Sequence, residues 1–207
     1  TDDGHSSSST ANLFGISQNV SGNYSRLFCA LQPAAVANAG KLSFYYDDKT
    51  TQVHNMTSAA VFSSGQTPWT HLVFTVEGVA NGIKIYKDGS EVTVLETANG
   101  MDDVTMSNIE FDIPFFFGGS NREEHAGCQF NIAAKMDEVS IWDAKLSSAQ
   151  VTTIYNSGVP TDLAGTTNLV GYWRMEENTG TTVADSSTNS NTATLTNGPT
   201  FSTDVPS

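Results

Sequence analysis

The sequence predicts an all-β chain, an antiparallel two-sheet sandwich carrying one short helix near residues 147–156. Two observations point there. Short runs rich in aromatic and β-branched residues recur along the 207 residues, with Gly, Asp and Asn turn signals between them. A helical pattern is confined to 146–157, where Ser147 stands three residues before Gln150, the spacing of a capping box, and Gly158 supplies a stop. One lone helix cannot cover a parallel sheet, so a sandwich is favoured over an α/β fold. A single domain is expected over 1–207.

The elements follow in order. Residues 1–11 are polar and Ser-rich and predict a flexible entry segment. Arg26–Leu31 alternates, and Lys41–Tyr46 ends in the turn pair Asp47-Asp48. Trp69–Glu77 predicts the clearest strand, with Leu72, Phe74 and Val76 on one face. Ile83–Lys87 runs into Asp88-Gly89, a strong hairpin signal, and Glu91–Leu95 returns from it. The consecutive aromatics Phe115, Phe116 and Phe117 must alternate between the two faces of a strand, so both faces are expected to be covered. From Met136 to Trp142 a further strand places Met136, Glu138, Ser140 and Trp142 on one side and Asp137, Val139 and Ile141 on the other.

Three cassettes carry a family resemblance. Asp137-Glu138-Val139, Ile141-Trp142, Leu146-Ser147, Ile154-Tyr155-Asn156 and Gly158 resemble the closing cassette of laminin G-like domains, the concanavalin A-like jelly rolls. The stretch from Trp69 to Gly78 and the run Ile83–Gly89 resemble an earlier strand pair of the same domains, and Phe115–Gly119 a strand end. Asn168–Leu195 resembles a segment that precedes the first strands in many relatives. The resemblance therefore implies a jelly-roll sandwich that lacks the usual first strands: a clipped chain, a unit of an array, or a domain completed by a neighbouring polypeptide near Thr1 or a sheet edge.

Charge narrows the partners. Nine Lys and Arg against 22 acidic residues leave a formal net charge of −13, which argues against a phosphate-binding face. No apolar run reaches the length of a membrane span. Ser, Thr, Asn and Gly are abundant and charged residues make up 15 %, a style that suits extracellular, cell-surface or virion-surface proteins. Cys29 and Cys128 suit either an inter-strand bridge or two buried thiols. The triplets beginning at Asn19, Asn23 and Asn55 are glycosylation signals if the source secretes through a eukaryotic pathway.

Candidate chemistry is sparse. Residues 185–191 place side-chain oxygens at every second position, which suits either a calcium ion or a hydrogen-bonded Asx-turn loop. A helix–loop–helix calcium loop is excluded, because Ser190 stands where the sharp-turn glycine belongs and Thr196 where a bidentate Glu belongs. The family resemblance implies a structural calcium held by Asp137, Asp185 and Asn191, with Asn189 beside them. A glucanase-like row of carboxylates begins at Glu110 and Asp112, then fails at Pro114 and Phe115; Glu176-Glu177 cannot replace it, since strand neighbours face opposite ways. His5, His54, His71 and His125 show no metal spacing. No catalytic set is expected.

Sugar binding needs outward aromatics beside polar groups. Trp142 and Trp173 sit in cassettes where the family places core residues, so Tyr45 or Tyr46, whichever faces outward, and the segment around Asn121 and Arg122 are the ligand-binding candidates. The expectation is a non-catalytic recognition or adhesion module that binds glycan. The alternative is a decoration or fibre protein of a phage or viral particle, whose partner is a surface protein or a neighbouring subunit.

Overall fold

The computed structural model describes residues 11–20, 23–32, 39–48, 52–63, 68–77, 82–98, 114–122, 125–129 and 131–206. Apart from one short α-helix and a 3-10 turn at Asn156–Gly158 that follows it, the described elements are β-strands, and the pairs with an assigned register are antiparallel. In chain order they are β1 (Ala11–Val20), β2 (Asn23–Leu31), β3 (Leu42–Asp48), β4 (Gln52–Thr57), β5 (Leu72–Val76), β6 (Ile83–Lys87), β7 (Ser90–Val92), β8 (Val94–Ala98), β9 (Phe116–Phe117), β10 (Ser120–Arg122), β11 (His125–Gln129) and β12 (Val139–Trp142). Helix α1 (Ser148–Tyr155) follows, then β13 (Leu169–Trp173), β14 (Thr182–Val183) and β15 (Ala193–Thr194). The chain divides into two compact units: Thr1–Thr67, Phe74–Ile85 and Val92–Ala134 in the first, Pro68–Val73, Tyr86–Glu91 and Lys135–Ser207 in the second.

The first unit is organised by a six-stranded sheet in the order β8-β4-β3-β2-β1-β9. Alternation along its strands sends Ile16, Cys29, Leu42, Phe44, Tyr46 and Val53 to one face, where all are buried. Phe14 lies on that face too, and Phe74 of β5 meets it edge-on with ring centroids 5.0 Å apart. Phe115 stacks on Phe14 with centroids 5.8 Å apart. Each large side chain buried here contributes about 2 kcal/mol. A one-residue slip of any strand would turn this set outward, so burial itself fixes the register. On β5 the buried residue is Thr75, while Leu72, Phe74 and Val76 are half-buried; both faces of the strand are covered, so alternation does not separate inside from outside.

The second unit holds the β12–β13 pair, with Val139 opposite Trp173 and Ser140 opposite Tyr172. Its core is two neighbouring clusters, Tyr86, Leu146 and Val151 in one, Leu163, Leu169 and Tyr172 in the other, with Trp142 and Ile154 packed against both. The expected strand from Met136 starts later, at Val139, because Glu138 adopts a left-handed backbone with φ 52°.

Helix α1 starts as its sequence predicts. Ser147 Oγ accepts from the Gln150 N–H at 3.3 Å and Gln150 Oε1 accepts from the Ser147 N–H at 2.9 Å, a reciprocal capping box. Its end differs from expectation: the left-handed cap is Asn156, two residues before Gly158. The helix docks on the β6–β7 turn, where Gly89 has φ 76° and lies against Tyr155; a Cβ there would come within 2.9 Å of that ring. Thr152 Oγ1 donates to the Gly89 carbonyl at 3.2 Å. Replacing Ser147 with Ala removes one half of the box and is expected to cost about 1 kcal/mol. A urea midpoint shifted down with an unchanged slope checks this.

Candidate functional site

Two places concentrate the sequence-predicted residues, one in each unit. In the first, pairing aligns Gly15, Phe28, Tyr45 and His54 across β1, β2, β3 and β4. Directly opposed residues share a face, and this row lies on the face opposite Phe44 and Tyr46. Tyr46 is 1 % exposed and Tyr45 half-buried, so Tyr45 is the outward member of the pair. It is not a lone platform. Its ring stacks on Phe28 with centroids 4.6 Å apart and 21° between planes, and on His54 at 4.0 Å and 13°.

Polar residues border the row. One step along the strands, Arg26 faces Asp47 in register, and both are buried. One step the other way, Ala30 faces Ser43, whose hydroxyl accepts from Gln32 Nε2 at 2.8 Å. The polar residues that border the aromatic row, Arg26, Asp47 and Ser43, are themselves buried.

In the second unit the loop 185–191 runs along the outer edge of β13. Asp185 Oδ1 accepts from the backbone N–H of Tyr172 and of Ser187, each at 2.8 Å. Asp185 Oδ2 accepts from Asn191 N–H at 2.7 Å and from Ser187 Oγ at 2.8 Å. Asn189 and Asn191 donate through Nδ2 to the Val170 carbonyl at 2.9 and 2.8 Å, and Ser187 Oγ, whose one hydrogen goes to Asp185, lies 3.2 Å from the same carbonyl. Trp173 Nε1 closes the set on the Asn191 carbonyl at 2.8 Å. Its indole lies over Gly171, where any Cβ would collide with it. Partial burial would raise the Asp185 carboxyl, but the N–H donors of Tyr172, Ser187 and Asn191 outweigh it and hold the group below its ordinary value.

Asp185, Asn189 and Asn191 are therefore brought together, as donors and acceptors for a strand edge. A carboxylate offers about four lone-pair sites, and four donors fill those of Asp185, so a calcium ion would have to displace them. Asp137 is not among the partners of Asp185; its Oδ1 accepts from Glu138 N–H at 3.1 Å. Burial and the neighbouring Glu138 charge push Asp137 up to about 6, against the Glu138 N–H bond, with Glu176 adding to the rise and Arg174 opposing it. Glu138 itself accepts from the Tyr172 hydroxyl and lies 3.6 Å from Arg174 Nε. Among the described residues no group of three or more His, Cys, Asp or Glu side chains is placed to hold a metal ion.

The remaining candidates resolve as follows. The backbone of Asn121 and Arg122 lies in β10, paired with β11 in a two-stranded sheet separate from that of Tyr45. Glu110 and Asp112 lie outside the described residues. Glu177 Oε1 accepts from Ala184 N–H at 2.8 Å and Glu176 lies 3.8 Å from Arg174, so both serve local structure. Cys29 is a buried free thiol, and burial pushes its titration far above the usual range. Asn55 is 4 % exposed and cannot carry a glycan in the folded chain. His71 packs on Tyr155 at 5.7 Å, and burial lowers its imidazole, with Asp88 opposing. The three indole N–H groups donate to Asp204, Ser140 and the Asn191 carbonyl.

Sequence reasoning missed Phe28, His54, Arg26 and Asp47. Their place beside Tyr45 depends on which strands pair and in what register, and periodicity within one strand does not carry that.

A family model described as the concanavalin A-like lectin/glucanases superfamily, of laminin G-like type, matches residues 5–152. That is more than half of the chain, and the chain belongs to this superfamily. The match includes the whole Tyr45 row and most of α1, and ends before β13 and its edge loop. No curated protein and no solved structure matches the chain.

Two outcomes are expected here. Asp185→Ala strips the acceptor from three backbone N–H groups at a partly exposed edge and is expected to destabilise by about 2 kcal/mol, Asp185→Asn by about half that, in thermal melts. Asp137→Asn acts through pH. A carboxyl raised from 3.8 to about 6 favours the folded chain only while protonated, so its contribution is present below the lower value and lost as pH rises through the higher one. Asp137→Asn is therefore expected to melt higher than wild type near pH 7, with the difference vanishing near pH 4.

Proposed function

We propose that this chain is a non-catalytic saccharide-recognition module working on an extracellular surface. The observation that carries the reading is the half-buried row Phe28–Tyr45–His54, bordered by Arg26 and Asp47, on one face of the large sheet. Membership of a superfamily of lectins and glucanases supports it. Aromatic side chains beside a small number of fixed polar groups are what a sugar site needs. The non-catalytic part rests on sequence, since Pro114 and Phe115 stand where a second catalytic carboxylate would be required.

We also propose that recognition is calcium-independent. Hydrogen bonds from four donors give the 185–191 loop its shape and take up the carboxylate that an ion would need. A glycan array probed with wild type, in millimolar calcium and again in chelator, tests both statements. Binding in both conditions is expected, with Tyr45→Ala weaker by tenfold or more through loss of the ring that holds Phe28 and His54 in place. Binding that disappears with chelator would sink the second statement. Silence in both conditions would sink the first and favour a protein partner.

A further inference from the structure

We infer that His71 is an acid-sensitive latch: protonation of its ring loosens the seat of helix α1 on the β6–β7 turn. The latch lies wholly within the second unit. Its fixed side is the turn, whose central residues Asp88 and Gly89 are both left-handed, with φ 49° and 76°. Two hydrogen bonds tie His71 to that turn. The His71 N–H donates to Asp88 Oδ1 at 3.0 Å, and the Asp88 N–H donates to the His71 carbonyl at 2.9 Å. The other side is Tyr155, the last residue of α1, whose ring lies against Gly89 and meets the His71 ring at 5.7 Å and 29°. His71 thus has its backbone on the turn and its ring on the helix.

The nitrogens of the ring set the sign of the effect. Neutral imidazole carries a hydrogen on one nitrogen and a lone pair on the other, whereas imidazolium carries N–H on both. Nδ1 of His71 is buried, and among the described residues none bonds it. A proton arriving there makes a charged donor without an acceptor, unless Tyr155 lifts and admits water. Asp88 favours the proton, but its Oδ1 is already engaged by the His71 N–H. Helix α1 brings no charged side chain, only the Tyr155 phenol, and β5 brings none. Lys87 and Glu91 flank the turn with opposite signs. Burial outweighs the Asp88 charge and holds the ring below its ordinary 6.5. A fold that resists the proton loses stability as pH falls from 6.5 through that lower value. The loss reaches the core through Ile154, the neighbour of Tyr155, which packs on both clusters of the unit. The seat is therefore firm at neutral pH and loose in acid.

The test is amide hydrogen exchange of α1 in the full chain near pH 8 and near pH 5, corrected for the intrinsic pH dependence of exchange. The His71 ring is followed by NMR over the same range. Wild type is expected to lose about tenfold in α1 protection in acid, the worth of a buried donor left without an acceptor. His71→Phe keeps a ring against Tyr155 and cannot titrate, so its α1 protection is expected to match at the two pH values. A side chain that only fills space would give wild type the same constancy. Wild-type protection unchanged by acid, or an equal fall in His71→Phe, overturns the inference. Where His71→Phe does not fold, wild type alone decides. Its α1 protection must fall below pH 6.5 and level off where the His71 ring titrates, and a ring titrating at or above the ordinary histidine value overturns the inference.

Discussion

A strand at the margin of a sheet leaves a row of backbone donors and acceptors that something must satisfy, and the second unit answers this with side chains. Asp185 accepts from the Tyr172 N–H while Asn189 and Asn191 donate to the carbonyl of Val170, so a loop does for β13 what a neighbouring strand would do. Because Tyr172 is held by its backbone to Asp185 and by its hydroxyl to Glu138, the edge, the left-handed residue before β12 and the buried cluster around Leu163 and Leu169 are tied to one side chain. The indole of Trp173 extends the tie, lying over Gly171 and bonded to the loop it faces.

The first unit solves a different problem with the same alternation. One face of its sheet is filled by Phe44, Tyr46, Leu42 and Cys29, and the other carries Tyr45 and its companions. Adjacent tyrosines with opposite fates are the plainest expression of the two-residue period of a strand. A side chain that functions on such a face inherits its precision from the buried neighbour, because burial of Tyr46 leaves Tyr45 a single direction to point.

What could be read in advance was what is local. The capping box of α1 spans four residues, and the Asp88-Gly89 turn spans two, so each has a signature within a short window. The stop at Gly158 was misplaced by two residues because Asn156 also tolerates the left-handed region and is reached first. The 185–191 loop illustrates a different limit. Alternating oxygens suit an ion or a backbone edge equally well, and the Tyr172 N–H and Val170 carbonyl that they bond here lie 13 to 21 residues away, beyond any local pattern. The aromatic row lay further out of reach, since Phe28, Tyr45 and His54 come from three strands and meet only through register.

The edge loop also bears on the order in which the chain can fold. Its ties to β13 join residues 13 to 21 apart, whereas β1 pairs with β9 through Phe14 and Phe117, about 100 residues apart. Closing a short loop costs less entropy than closing a long one, and local contacts form sooner. During synthesis β1 emerges early yet lacks its outer neighbour until Phe116 and Phe117 arrive, while β13 acquires its cap within a couple of dozen residues. The unpaired margin that invites misassociation is therefore the one made first, and the loop protects the strand that needed waiting least.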